Sequence, residues 1–319
     1  MALGVGVIGC GAMGRIHLRN LLARPTDIRV VGVCDPRPDQ IAAIGLPAEV
    51  AVFPDSRELL GHPEIGLVVV ASPASLHSSD VVSALEAGKL VYCEKPLVTS
   101  MEDHRRITAL ETHHGRAMVW VGFMRRFDPA FQALKADLDS GAIGPISHGI
   151  LSHRNPSVPE SFTDADYMLE TFIHEFDALR WLLDVEIETI TVGGKRRTNS
   201  GLMDPQFVTL TTNGGQRVMI DGHITNGYGY DIRCELVGER GSRSLVDYAE
   251  ETGISAAPHA TWATRFSGAY RTAIDACIDD VLAQRHTGVT SREAERALAV
   301  ALSGIEAQRT GRTVSVGVG

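Results

Sequence analysis

Glu170 and His174 stand four residues apart in the stretch Glu170-Thr171-Phe172-Ile173-His174-Glu175-Phe176-Asp177-Ala178-Leu179-Arg180-Trp181-Leu182-Leu183. Phe172, Ile173, Phe176, Leu179 and Leu183 recur with helical period, which predicts an amphipathic helix with the pair on one face. A carboxylate beside an imidazole favours its protonated form and decides which ring nitrogen holds the proton. That is the equipment of a general base; a solvated or capping pair is the competing reading. The second histidine of H-E-x-x-H does not follow His174-Glu175, so no metal site is expected.

A second candidate is Cys93-Glu94-Lys95-Pro96, at the end of the predicted strand Leu90–Cys93. In an open α/β sheet, ligands bind beyond the carboxyl ends of the strands, so Lys95 is placed to face a ligand there. Pro96 fixes its own φ and biases Lys95 toward an extended backbone. A lysine at a strand end is otherwise simply solvated.

The third is Gly9-Cys10-Gly11-Ala12-Met13-Gly14, a G-x-G-x-x-G run directly after the apolar Val5–Ile8. Alone the pattern is weak in a chain with 32 glycines. Here a strand precedes it, a helix follows, and the acidic Asp35 ends the next predicted strand, the context of a dinucleotide site. Gly9 permits the tight turn, Gly11 lets backbone approach a pyrophosphate, and Gly14 lets helix and sheet pack closely. Helix N-terminal N–H groups then face the phosphates. Asp35 is expected to hydrogen-bond the adenosine ribose and repel a 2′-phosphate, favouring NAD over NADP. Arg37 argues mildly the other way.

The elements that must position these residues alternate. Helical spacing over Arg15–Ala23 ends before Pro25, and Ile28–Cys34 and Leu67–Ala71 read as strands buried on both faces. A helix over His77–Ala87 stops at Gly88, Thr99–Glu102 has the form of a capping box, the helix it opens closes near His114-Gly115, and Ala117–Val121 is one more strand. This is a doubly wound parallel sheet, a Rossmann domain assigned to residues 1–121. From 122 the character changes. Asp128-Pro129 starts a helix, Phe207–Thr212 and Arg217–Ile224 flank the reversal at Asn213-Gly214-Gly215, and Asp231–Val237 pairs with Ser242–Val246. Helices return at about Gly268–Ala283 and Arg292–Arg309. Residues 122–319 are thus expected to form a substrate-binding and oligomerisation α+β domain with an open, mostly antiparallel sheet.

Composition agrees. With 319 residues, 44% hydrophobic and 22% charged, the chain is globular and long enough for two domains. Thirty basic against 39 acidic residues give −9, which argues against nucleic acid or an anionic membrane surface as partner. No apolar run is long enough to span a bilayer, and no signal peptide is legible. Five scattered cysteines without a C-x-x-C pair fit reduced thiols and a cytoplasmic location. An uncovered sheet face would pair between subunits, so a homo-oligomer, tetramer or dimer, is expected.

Together, Gly9–Gly14, Glu94-Lys95-Pro96, Gly122–Asp128, His153-Arg154-Asn155-Pro156, His174–Leu183, Tyr228–Ile232 and Trp262–Phe266 resemble the glucose–fructose oxidoreductase/inositol dehydrogenase (Gfo/Idh/MocA) family, most closely its inositol 2-dehydrogenase branch. The resemblance runs in order from about residue 4 to 285. It implies that Lys95 hydrogen-bonds the reacting hydroxyl and stabilises its developing charge, while His174 removes the proton. Glu170 stands where inositol dehydrogenases carry an aspartate, so the pocket or proton relay differs by a methylene. Arg125, His153, Asn155 and Tyr230 are implied polyol contacts. Tyr228 and Tyr230 would share one strand face, so spacing does not rank them; the resemblance favours Tyr230. Trp262 either closes the pocket or packs in the core. Gly9, Gly11, Ala12, Met13, Gly14, Asp35, Arg37, Ser72, His77, Glu94 and Lys95 are the expected cofactor contacts.

The expected activity is NAD-dependent oxidation of a secondary hydroxyl on a cyclic polyol or sugar. Glu170 keeps a monosaccharide or anhydrosugar open as substrate. A non-catalytic NAD-bound regulator, or a hydrolase or epimerase that returns the hydride each cycle, are the other classes. Arg125-Arg126 leaves room for an acidic or phosphorylated substrate, unless these residues pair with Asp128 or Asp177.

Overall fold

The computed structural model describes residues 2–197, 201–245 and 260–317, and the chain divides into two compact units. The first comprises Met1–Met124 and Tyr270–Glu295, the second Arg125–Ala269 and Arg296–Gly319.

The first unit is built on a six-stranded parallel sheet in the order β3-β2-β1-β4-β5-β6, with β1 Leu3–Ile8, β2 Ile28–Cys34, β3 Ala51–Val52, β4 Ile65–Val70, β5 Leu90–Cys93 and β6 Val119–Val121. Its helices include α1 (Ala12–Leu22), α2 (Ala74–Glu86) and α3 (Met101–His114). The strands read as unbroken apolar runs because both faces are covered: Val5, Val7, Val33, Leu67 and Val69 are all fully buried. The cap of α3 is one residue later than expected. Ser100, not Thr99, accepts from the Asp103 N–H at 3.1 Å, because Asp103 and not Glu102 is in phase with the hydroxyl.

A segment from near the C-terminus completes this core. Ile274, Cys277 and Ile278 lie on one face of a helix and pack with Leu18, Leu21, Val30 and Tyr92. Asp280 then accepts from the Trp120 indole N–H at 3.0 Å and from the Thr287 and Gly288 N–H groups at 2.6 and 3.1 Å. The division expected at residue 121 therefore omits a piece. The sequence period of 270–295 marks a helix but not which sheet its apolar face covers.

The second unit carries a seven-stranded sheet in the order β12-β11-β7-β10-β9-β8-β13, made of β7 Ile146–Arg154, β8 Ile187–Arg196, β9 Met203–Thr212, β10 Arg217–His223, β11 Asp231–Gly238, β12 Gly241–Ser244 and β13 Val314–Ser315. Among the described residues of this sheet, only β7 and β10 pair in parallel. The β9–β10 and β11–β12 hairpins form as expected, with Thr211 opposite Arg217 and Gly238 opposite Gly241; Val246, at the end of the second expected strand, lies outside the described residues. Burial alternates along β9 and β10, with Val208, Leu210, Val218 and Ile220 inward. Outward, Ile150, Phe207 and Met219 are 46%, 50% and 53% exposed. Helix α4 (Pro129–Asp139) opens with Pro129 at N1 and the Asp128 carboxylate on the Ala130 and Phe131 N–H groups. Helix α5 (Ile173–Leu183) follows; of the two C-terminal helices, α6 (Ser267–Leu282) falls almost wholly in the first unit and α7 (Ser291–Thr310) mostly in the second. Among the described residues, no helix is long and apolar enough to cross a membrane, and no three His, Cys, Asp or Glu side chains are grouped to hold a metal.

Candidate active site

In the first unit, the turn after β1 is shaped by absent side chains. Gly9 has φ +91°, and a Cβ there would lie 2.5 Å from the Ala71 and Ser72 backbone. At Gly14 a Cβ would meet the Gly9 carbonyl oxygen at 1.8 Å, so the first turn of α1 sits directly on the loop. Gly11, the N-cap of α1, differs: the nearest atom to a Cβ is Arg37 Nη2, at 3.9 Å. Among the described residues nothing comes closer to that position. This is the approach a pyrophosphate needs.

Asp35 closes the same crevice at the end of β2. Its Oδ2 accepts from the Cys10 N–H at 2.7 Å, and Oδ1 from the Arg37 N–H at 2.9 Å and Arg37 Nε at 3.4 Å. Burial favours the neutral acid, but the Cys10 and Arg37 donors outweigh it and hold the carboxyl below its usual range. An ionised carboxylate, with Oδ2 keeping acceptor capacity, is what two ribose hydroxyls require. Arg37 is turned onto Asp35, which blunts the argument for a 2′-phosphate. The donor set fits an unphosphorylated adenosine ribose.

Three expected cofactor contacts make hydrogen bonds inside the unit. Glu94 is buried with Oε1 2.7 Å from His17 Nε2, while Oε2 accepts from the Lys95 N–H at 3.3 Å. His77 is bracketed by the Pro96 and Ser72 carbonyl oxygens, at 2.7 and 2.8 Å. The Ser72 hydroxyl donates to Asp80 at 2.6 Å, whose own pKa burial raises. His77 thus ties the loops after β4 and β5 together, and Glu94 ties the latter to α1. Lys95 is half-buried on that framework, and its peptide bond to Pro96 is cis. His17 was missed because a histidine in phase with Leu18 and Leu21 reads as core; a buried acid in the E-K-P run is the signal that something must pair with it.

In the second unit, the helix expected over 170–183 begins as a π-turn, Tyr167–Phe172, before α5. Glu170 is half-buried within that turn, and His174, 6% exposed, lies in the first turn of α5. Six residues of apolar pattern do not separate a π-turn from an α-turn. One imidazole set against a carboxylate here is that of His153, from β7. Its Nδ1 lies 2.9 and 3.0 Å from the two oxygens of Glu175, and its ring lies 6.3 Å from that of His174. Glu175 is fully buried and also accepts from Arg125. Burial would raise its pKa, but Arg125 and His153 pull it below the usual carboxylate range.

The other cations are matched in the same way. Arg126 donates to Asp177 at 2.6 and 3.0 Å, one of the two pairings weighed from the sequence. Arg265 takes Asp128, at 2.7 and 3.2 Å. The pair Arg125–Glu175 was not anticipated, because Glu175 was read only as part of a failed zinc motif.

Tyr230 is 3% exposed, packs edge-on to His153 and Phe266 at 5.7 and 6.1 Å, and is pushed up to about 12, chiefly by burial. Tyr228 is 47% exposed, its hydroxyl 3.2 Å from Asp231 Oδ2. The two do not share a strand face, since β11 starts only at Asp231. Asn155 Oδ1 is buried without a hydrogen-bond partner among the described residues, a vacancy suited to a hydroxyl donor. Trp262 is half-buried in the short helix Trp262–Arg265.

The family model described as "Oxidoreductase family, NAD-binding Rossmann fold" matches residues 3–123, and that of the "GFO/IDH/MocA C-terminal domain" matches 131–244. The chain is 39% identical to inositol 2-dehydrogenase from Pseudomonas fluorescens, over 99% of this chain and 97% of that protein. It is 36% identical to inositol 2-dehydrogenase 3 from Saccharopolyspora erythraea, over 99% and 96%. Among solved structures, myo-inositol dehydrogenase from Lactobacillus casei in complex with NAD(H) and myo-inositol superposes with a TM-score of 0.92 at 34% identity, covering 100% of this chain and 98% of that one. With both family models matched in order and full-length relatives above 30% identity, the chain belongs to the GFO/IDH/MocA oxidoreductase family and begins with an NAD-binding Rossmann fold.

Proposed function

We propose that this protein is an NAD-dependent dehydrogenase that oxidises a secondary hydroxyl of a cyclic polyol, with an inositol as the first substrate to test. The observation that carries the reading is charge balance in the second unit. Arg125, Arg126 and Arg265 are buried and each is paired with a carboxylate, Glu175, Asp177 and Asp128. Guanidiniums already neutralised recruit a phosphate or carboxylate poorly, whereas Asn155, Tyr230 and His153 suit neutral hydroxyls. Full-length similarity to inositol 2-dehydrogenases supports the same class.

His174 accepts the hydroxyl proton. The Lys95 ammonium stabilises negative charge on the reacting oxygen, and Glu170 tunes the proton acceptor. Asn155, Tyr230 and His153 hold the remaining hydroxyls, Arg125 supports them, and Trp262 covers the ring. Bound NAD+ supplies the hydride acceptor; Asp35 and the Gly9–Gly14 turn hold its adenosine and pyrophosphate portions. A monosaccharide or anhydrosugar is the second reading, favoured by Glu170 where the resemblance implies an aspartate. The test is NADH absorbance with NAD+ and a panel of inositols, monosaccharides and anhydrosugars. A regulator would bind NAD+ and reduce none of it; a hydride-returning hydrolase or epimerase would transform substrate without net NADH.

The protein is further proposed to assemble as a homo-oligomer through the outward face of the second sheet. Met219 pairs in register with Ile150, and Phe207 lies one strand over, so three large apolar side chains form one patch that a second copy would bury. A cytoplasmic location is proposed from five buried cysteines, none in a disulfide; fractionation of the native cell tests it.

A further inference from the structure

We infer that Asn226 is a positioning residue for the polyol site: its side-chain amide folds residues 227–229 into the turn that sets Tyr230 in place. Both ends of the amide are used. Its Oδ1 accepts from the Tyr228 and Gly229 N–H groups at 2.7 and 3.1 Å, and its Nδ2 donates to the Gly229 carbonyl oxygen at 2.8 Å. Two N–H groups at one end and a carbonyl at the other fix which end is oxygen. An aspartate in the same place would set an oxygen against the Gly229 carbonyl. The turn needs such a tie, because Gly227 and Gly229 take φ of +75° and +137°, and glycine gives an untied backbone many alternatives.

Tyr230 follows at once. Its ring packs edge-on to His153 and Phe266, and its hydroxyl hydrogen-bonds Arg125. Those contacts hold the ring only where the backbone delivers it, and Asn226 sets that backbone. The start of the turn is anchored as well. The Asn226 N–H donates to the Asn155 carbonyl oxygen at 3.0 Å, and the Gly227 N–H to that of Pro156 at 3.3 Å. Asn226 thus joins the two residues, Asn155 and Tyr230, that are proposed to hold substrate hydroxyls.

The role in substrate binding rests on the proposed polyol activity; the placement of Tyr230 does not, and it is tested first. In protein labelled with 3-fluorotyrosine and free of substrate, with Tyr230→Phe to assign the signal, Asn226→Ala is expected to shift or broaden the 19F resonance of Tyr230. An unmoved resonance overturns the inference. The kinetic test is a double-mutant cycle. Asn226→Ala should lower kcat/KM for the polyol about 10- to 100-fold, mostly through KM, with the KM for NAD+ within roughly twofold. Because Asn226 acts through Tyr230, adding Asn226→Ala to Tyr230→Phe should cost little more. Additive losses, or a lower Tm with the polyol kcat/KM unchanged, overturn the inference. Wild-type protein that oxidises no polyol would remove the activity, and the 19F result would still judge the placement. Should Asn226→Ala not fold, amide hydrogen exchange in the wild-type protein decides. The Tyr228 and Gly229 N–H groups are expected to be protected, and fast exchange at either overturns the inference.

Discussion

His174 is the residue on which proposed chemistry and geometry press hardest. Replacing it with alanine is expected to reduce kcat by about 10²–10⁴, the worth of one positioned acid–base group, while calorimetric titration finds NAD+ affinity unchanged. Asp35→Ser should act in the opposite sense. It removes the carboxylate that accepts from Cys10 and Arg37, so the KM for NAD+ rises and that for NADP+ falls as Arg37 is released toward a phosphate; an unchanged ratio of the two KM values contradicts the assignment. Residue by residue, the sequence marked positions whose chemistry is local. Asp35, Arg126 and Tyr230 could be named from a motif, a run and a resemblance. Asp177 was weighed as a partner for Arg126, but nothing in the spacing of Glu175 and His153, 22 positions apart, foretells that they meet, because that contact is made by a helix docking on a sheet. For the same reason the bonds of Glu94 to His17 and of His77 to the Ser72 and Pro96 carbonyls were not foreseen.

At the scale of elements, the segment that returns to the first sheet offers the clearest test. Asp280 accepts from Trp120, Thr287 and Gly288 and pairs with Arg285. Burial would raise its pKa, yet these donors lower it to about 2 from 3.8. A carboxylate depressed in the folded state adds stability that is fully present above its unfolded value and is lost as pH falls through its folded one. Asp280→Ala should therefore cost about 2–4 kcal/mol at neutral pH, by stranding buried donors, and the Tm gap to wild type should narrow between about pH 4 and pH 2 as the ionisation-linked part is lost. Ile274→Ala is expected to cost about 2–5 kcal/mol as a core deletion. Denaturant titration measures both. Strands β1, β2, β4, β5 and β6 and the β9–β10 and β11–β12 hairpins were readable because burial on two faces, alternation, and turns such as Asn213-Gly214-Gly215 each leave a mark on composition; β3, β7, β8 and β13 were not read. The π-turn at Tyr167–Phe172 leaves none, since its side chains are those an α-helix would use.

For the whole molecule, the outward patch of Ile150, Phe207 and Met219 predicts self-association. Sedimentation of wild-type protein should give a dimer or tetramer, and Met219→Lys a smaller species with an unchanged circular dichroism spectrum. Monomeric wild type would remove the assembly from the account without touching the chemistry. The two-part organisation was visible in the change of strand character after residue 122; the allocation of 270–295 to the first unit was not, because an amphipathic helix carries no label for the sheet it covers. The central claim is that this chain passes hydride from a neutral ring polyol to NAD+. Its most direct test is NADH formation by the purified protein with NAD+ and myo- or scyllo-inositol, beside the His174→Ala and Lys95→Ala variants. The account predicts steady NADH production by wild type and its near abolition in both variants. Folded wild-type protein that binds NAD+ and yields no NADH from any polyol or sugar would contradict it.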